Sequence, residues 1–141
     1  MENITATNIT VEATVKAPVS KVWQYWIEPN HIKNWNNASD DWHTPRAEND
    51  VRPGGKFNSR MEARDGSFGF DFFGEYDEVK PNELITYTMG DGRKVRITFA
   101  DQGNETKVVE TFEAENTNPV EMQRGGWQAI LNNFKKYTEA N

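Results

Sequence analysis

The chain has 141 residues, a formal net charge of −6, no cysteine, and aromatic side chains at 12% of its positions. The acidic balance excludes nucleic acid or an anionic membrane surface as main partner, since both need basic groups to neutralise phosphates, and the absence of cysteine excludes disulfide frameworks and thiolate chemistry. One domain spanning residues 1–141 is expected, soluble, cytoplasmic and monomeric, with no membrane span, because there is no signal pattern and no apolar run of bilayer length.

From the N-terminus, Ile9, Val11, Ala13 and Val15 alternate with polar residues, the period-2 pattern of a strand with one wet face. After Ala17-Pro18 the spacing changes: Val19, Val22, Trp23 and Trp26 recur at helical intervals, and Pro18 suits a first turn. Pro29 to Trp35 reads as a second short helix after the break at Glu28-Pro29, with Trp35 packing inward. Arg46 and Arg52 belong to a long segment over the pocket mouth, which they could structure, but they read as surface-solvated. Strands resume with Phe57, Ser59, Met61 and Ala63 on one face, then Phe68, Phe70 and Phe72, with a phase shift expected at Gly74. Ile85, Tyr87 and Met89 lead into Asp91-Gly92, a two-residue hairpin signal, and Val95, Ile97 and Phe99 return. A last strand from about Glu105 to Glu115 carries Val108, Glu110 and Phe112 on one face. The residues alone thus give an antiparallel meander.

Asn118 to Ala140 reads as one long amphipathic helix. Asn118 is placed as its cap, Pro119 at the first helical position and Glu121 closing an Asn-x-x-Glu capping box. Met122, Gly126, Ile130, Phe134 and Tyr137 form its apolar arc, with Trp127 and Leu131 at the edge. A mid-helix glycine costs about 1 kcal/mol relative to alanine, so Gly126 implies close approach of a backbone or a ligand, or simply tight helix-on-sheet packing. The economical architecture is α+β, a curved sheet gripping this helix.

The run His43 to Phe57, with Arg52-Pro53-Gly54-Gly55-Lys56-Phe57 at its end, is followed by Gly74-Glu75-Tyr76, Pro81-Asn82-Glu83, Thr106-Lys107-Val108 with Phe112, and Gln123-Arg124-Gly125-Gly126-Trp127 before Leu131. Together with Ala17-Pro18, Val22-Trp23, Pro29 and Trp35, these resemble the family of activator of heat-shock-protein-90 ATPase homologues over nearly the whole chain. The resemblance implies the START-like, pollen-allergen-like helix-grip fold: a seven-stranded antiparallel sheet wrapped around the C-terminal helix, two short helices after the first strand, and a cavity between helix and sheet. It also implies, for small members, binding of a hydrophobic molecule such as a lipid, polyketide or flavonoid.

The expected cavity lining is Trp23, Trp26, Trp35, Phe57, Ser59, Met61, Phe70, Tyr87, Ile97, Phe99, Val108, Phe112, Gln123, Gly126, Trp127, Ile130 and Phe134. Taken singly, each reads as an ordinary core residue, and only the set points to a cavity. Glu110, inward between Val108 and Phe112, would be desolvated and its pKa raised unless paired; it could orient a ligand or act as a general base. The amide of Gln123 could meet a ligand or tie the helix to the sheet. His31 and His43, with Asp40 and Asp41, match no metal-ligand spacing, and no triad, nucleophile elbow or phosphate loop is present. The triplets at Asn3, Asn8, Asn37 and Asn104 read as chance sequons. The expected function is binding of a hydrophobic or aromatic small molecule without a built-in cofactor, and nothing requires catalysis. The alternatives are a protein-interaction module acting on a heat-shock-protein-90 chaperone, and a cyclase- or hydrolase-like enzyme using Glu110 as base.

Overall fold

A computed structural model describes residues 7–141; the Asn3 triplet and the N-terminal signal reading lie outside these residues. In chain order the elements are β1 (Asn8–Val15), α1 (Val19–Ile27), α2 (Pro29–Trp35), β2 (Trp42–Asn49), β3 (Lys56–Ala63), β4 (Gly69–Lys80), β5 (Leu84–Met89), β6 (Lys94–Asp101), β7 (Thr106–Glu113) and α3 (Val120–Ala140). The strands make one antiparallel sheet of order β1-β7-β6-β5-β4-β3-β2. Strands β2 to β7 are a continuous meander, whereas β1 pairs with the last strand, so α1 and α2 carry the chain from one sheet edge to the other. The architecture is the α+β helix grip: the sheet curls around α3.

Register explains the inner face. Because side chains alternate, partners across the ladders share a face. Ile9, Phe112, Val95, Tyr87 and Tyr76 form one row, and Val11, Glu110, Ile97 and Ile85 the next. All nine are buried. Each large apolar member contributes about 1.5–3 kcal/mol through burial, so eight hydrophobes hold the ninth residue, Glu110, in place.

Strand β2 is absent from the sequence reading because Pro45 interrupts it. It is an edge strand, where a missing N–H is tolerated, and its ladder to β3 is irregular between His43 and Arg46, around that proline. Arg46 is exposed, and Arg52 pairs with Asp50 at 2.9 Å. The phase shift expected at Gly74 lies further on, between Tyr76 and Glu78. Gly74 itself serves packing: a Cβ there would stand 2.5 Å from the Thr88 carbonyl oxygen and 2.9 Å from the Phe57 ring.

Helix α3 corrects three readings. Pro119, not Asn118, is the cap residue and no side chain caps it. The Glu115 carboxylate instead takes the N–H groups of Thr117 and Asn118, and Glu121 pairs with Arg124, so the capping box does not form. The buried stripe is Gln123, Leu131, Phe134 and Thr138, one step round from the expected arc, which leaves Met122 63% exposed. Nor does anything approach the glycines closely: Cβ atoms on Gly125 or Gly126 would meet no atom within 4 Å.

Candidate functional site

Between α3, the two short helices and the concave sheet lies a cavity of about 300 Å³. Eleven of the expected residues line it: Trp26, Trp35, Phe57, Ser59, Met61, Phe70, Tyr87, Ile97, Glu110, Trp127 and Ile130. Seven do not. Trp23, Phe99, Val108, Phe112 and Phe134 lie behind the wall as packing. Trp23 meets Phe99 edge-on at 5.3 Å, Phe134 stands edge-on to Trp26 and Trp35 at 4.8 and 4.9 Å, and Phe112 stacks with Trp127 at 3.9 Å. Gly126 is outside the lining. Gln123 is consumed by the β7–α3 connection: its carbonyl oxygen accepts from Glu115 N–H at 2.9 Å, and its amide donates to the carbonyls of Glu115 and Asn118. It ties helix to sheet.

The lining also includes residues that sequence reasoning missed: Ile32, Asn36, Glu48, Asn49, Phe72, Tyr76, Ile85 and Arg93. Phe72 and Ile85 were available from strand parity, since they share the parity of Phe70 and Tyr87, whereas the phase shift expected at Gly74 hid Tyr76; the shift lies beyond it, so Tyr76 keeps the inward parity of Phe70 and Phe72. Ile32 follows from the apolar spacing of α2. Glu48 and Asn49 had no signal, because they belong to the unrecognised β2. Arg93 continues the inward parity of Val95 and Ile97 into the hairpin.

Polar bonds clamp the roof. Thr44 Oγ1 donates to the Asn36 carbonyl at 2.7 Å, joining β2 to the end of α2, and Asn133 Nδ2 donates to the Trp35 carbonyl at 3.0 Å, joining α3 to α2. Asn49 links the sheet to α1: Nδ2 donates to the Ile27 carbonyl at 2.7 Å while Oδ1 accepts the Tyr76 hydroxyl. Trp127 reaches from its stack on Phe112 to within 6.2 Å of the Phe72 ring, closing sheet against helix. The mouth is marked by lining residues that remain solvent-accessible, Phe70 at 40% exposure, the exposed Glu48 and the half-buried Asn36. His31 and His43 stand apart. His31 stacks on Tyr25 at 3.9 Å with Nδ1 2.7 Å from the Tyr137 hydroxyl, and His43 lies 3.9 Å from Glu62.

The electrostatic centre is Glu110. It is 5% exposed, and burial pushes its pKa up to about 8. Burial is the cause of that shift, and among the described residues no side chain forms an ion pair or hydrogen bond with the carboxyl. Burial thus favours the neutral form, which can donate its proton in a hydrogen bond to a ligand. Tyr87 is held well above the ordinary phenol value by burial first and then by the neighbouring Glu110 carboxyl; burial also raises Tyr76. Arg93, the cationic side chain of the lining, is already engaged, donating to Asp91 Oδ2 at 2.8 Å and to the Glu113 carbonyl at 3.1 Å.

A mostly apolar, partly open cavity with a few convergent polar groups, Glu110, Tyr87 and Ser59, has the anatomy of a small-molecule site. Among the described residues no helix is long and apolar enough to cross a membrane, and no group of three or more His, Asp or Glu side chains is placed to hold a metal ion.

Comparison with known proteins follows the same lines. No curated protein matches the chain. The solution structure of the AHSA1-like protein from Aeromonas hydrophila is 42% identical, covering 95% of this chain and 93% of that one, with a TM-score of 0.89. The solution structure of Chr148 from Cytophaga hutchinsonii is 59% identical over 95% and 93% of the two chains, with a TM-score of 0.82. A crystal structure from Nitrosomonas europaea, 17% identical over 94% of each chain with a TM-score of 0.80, shares the fold. Residues 16–139 match the family described as Activator of Hsp90 ATPase homolog 1-like protein, and the chain belongs to that family.

Proposed function

We propose that this chain acts as a single helix-grip domain that binds an apolar, aromatic-bodied small molecule in the cavity beneath α3. The observation that carries the reading is the cavity itself: about 300 Å³, walled mainly by rings and aliphatic groups, and floored by a buried carboxyl with no ion-pair or hydrogen-bond partner among the described residues. A packed core would fill that space or pair that group, because both a void and an orphan carboxyl cost stability. The hydrophobic walls supply affinity through desolvation, and Glu110 and Tyr87 supply orientation. Lipid, polyketide and flavonoid-like molecules all present the required apolar body.

Tryptophan fluorescence titrations against flavonoids, polyketides, sterols and fatty acids test this, since Trp26, Trp35 and Trp127 line the cavity. Saturable binding that is weakened in Ile130→Trp, whose larger ring narrows the space, supports it; binding unchanged in that variant contradicts it. The family description supports a second reading, modulation of a heat-shock-protein-90 chaperone ATPase through an outer surface. Stimulation of such an ATPase, undiminished by Ile130→Trp, is the result that favours it.

A further inference from the structure

The cavity reading leaves open what chemical group Glu110 is there to meet, and the surroundings narrow the choice. The carboxyl projects from β7 into the lining with no partner among the described residues. The titratable or charged groups that share the cavity are Tyr87 from β5, Tyr76 from β4, Glu48 from β2, and Arg93 from the β5–β6 turn. Helices α1, α2 and α3 present uncharged residues, among them Trp26, Trp35 and Trp127. Arg93 is occupied by Asp91 and the Glu113 carbonyl, and Tyr76 donates its proton to Asn49. The remaining field combines two carboxyls and the aromatic rings, whose faces carry partial negative charge and attract cations, with the Arg93 guanidinium, whose charge is offset by its pairing with Asp91.

Such a site favours a cation over a neutral acceptor. A ligand carbonyl could take a proton from Glu110 but would leave the second carboxyl oxygen unmet and gain nothing from the ring faces. A protonated amine offers up to three donors, enough for the carboxylate and the Tyr87 hydroxyl oxygen, while the rings stabilise its charge. The net charge of −6 also raises the local concentration of cations.

We propose that the cavity takes an apolar amine, its protonated nitrogen seated against the Glu110 carboxyl and its aromatic or aliphatic body held between Trp127, Phe72, Phe57 and Tyr87. This rests on the cavity being a ligand site, as argued above. Binding converts Glu110 from carboxylic acid to carboxylate: the O–H proton leaves to solvent, the ligand keeps its own, and an ion pair remains.

The test is isothermal titration calorimetry with a matched pair, 2-(1-naphthyl)ethylamine and 2-(1-naphthyl)ethanol, against the wild-type chain and Glu110→Gln. The wild type should bind the amine at least tenfold tighter than the alcohol at pH 8. Its amine affinity should rise on the order of fifty-fold from pH 6 to pH 8, as the competing proton is lost from a group titrating near 8. Near pH 7, repeating the titration in buffers of different ionisation enthalpy should show release of close to one proton. Glu110→Gln should erase the preference and the pH slope. Equal or tighter binding of the alcohol by the wild type, or an amine preference that survives in Glu110→Gln, overturns the amine assignment and leaves the cavity site standing. Failure of both compounds to bind overturns the amine assignment and counts against the cavity site with it.

Discussion

Replacing Glu110 by Gln should stabilise the protein, by an amount that depends on pH in a defined way. The native carboxyl titrates near 8 against an ordinary value of 4.5, and burial is the cause. Between those values the unfolded chain has lost the proton and the native chain retains it, so the native state binds more protons and stability falls as pH rises. Each pH unit in that window costs about 1.4 kcal/mol. The accumulated penalty is about 3 kcal/mol at pH 7 and about 5 kcal/mol above pH 8, upper values because water entering the cavity would relax them. Gln has nearly the same size and cannot ionise, so it avoids the penalty. Urea denaturation of both proteins at pH 4.5, 6, 7 and 8 measures the difference. The curves should coincide at pH 4.5 and diverge steadily, with Gln more stable. A constant difference across that range, or a Gln variant less stable at pH 8, refutes the claim that Glu110 is buried without a partner.

Other substitutions separate roles that look alike in the sequence. Gly126→Ala should raise stability by about 1 kcal/mol in thermal or chemical denaturation, because the helix gains a better helix former and the new Cβ meets open space. Gly74→Ala should do the opposite and lower it by about 2 kcal/mol or more, since its Cβ would collide with the Thr88 carbonyl and the Phe57 ring. Gln123→Leu should cost about 2 kcal/mol through its lost bonds to the β7–α3 connection, yet leave ligand affinity unchanged in a fluorescence titration. Tyr76→Phe should cost about 1 kcal/mol by denaturation, by removing the hydroxyl that anchors Asn49.

The fold was legible wherever burial imposed a period. Strands β3, β5, β6 and β7 and both short helices follow from alternation and helical spacing, and parity alone placed Glu110 inward between Val108 and Phe112. Strand β2 was not legible, because an edge strand has one partner and Pro45 conceals it; with it went Asn49 and Glu48. Parity also cannot distinguish core from cavity wall. Val108 and Glu110 share a face, but Val108 packs fully while Glu110 looks into space, a difference of depth under α3 and not of pattern. The helix arc went astray on Met122 and Gly126, because the polar Gln123 holds a buried position by satisfying backbone groups, which no hydrophobic count would reveal.

The most direct measurement is intermolecular NMR contacts between the bound ligand that titrates tightest and the isotope-labelled protein. Occupancy of the cavity predicts contacts from ligand protons to the Trp127 and Trp35 indoles, the Tyr87 and Phe72 rings and the Glu110 side chain, with none to the exposed Phe73 or Met122. Contacts confined to those outer residues, with the Glu110 and Tyr87 resonances unmoved at saturation, would contradict it.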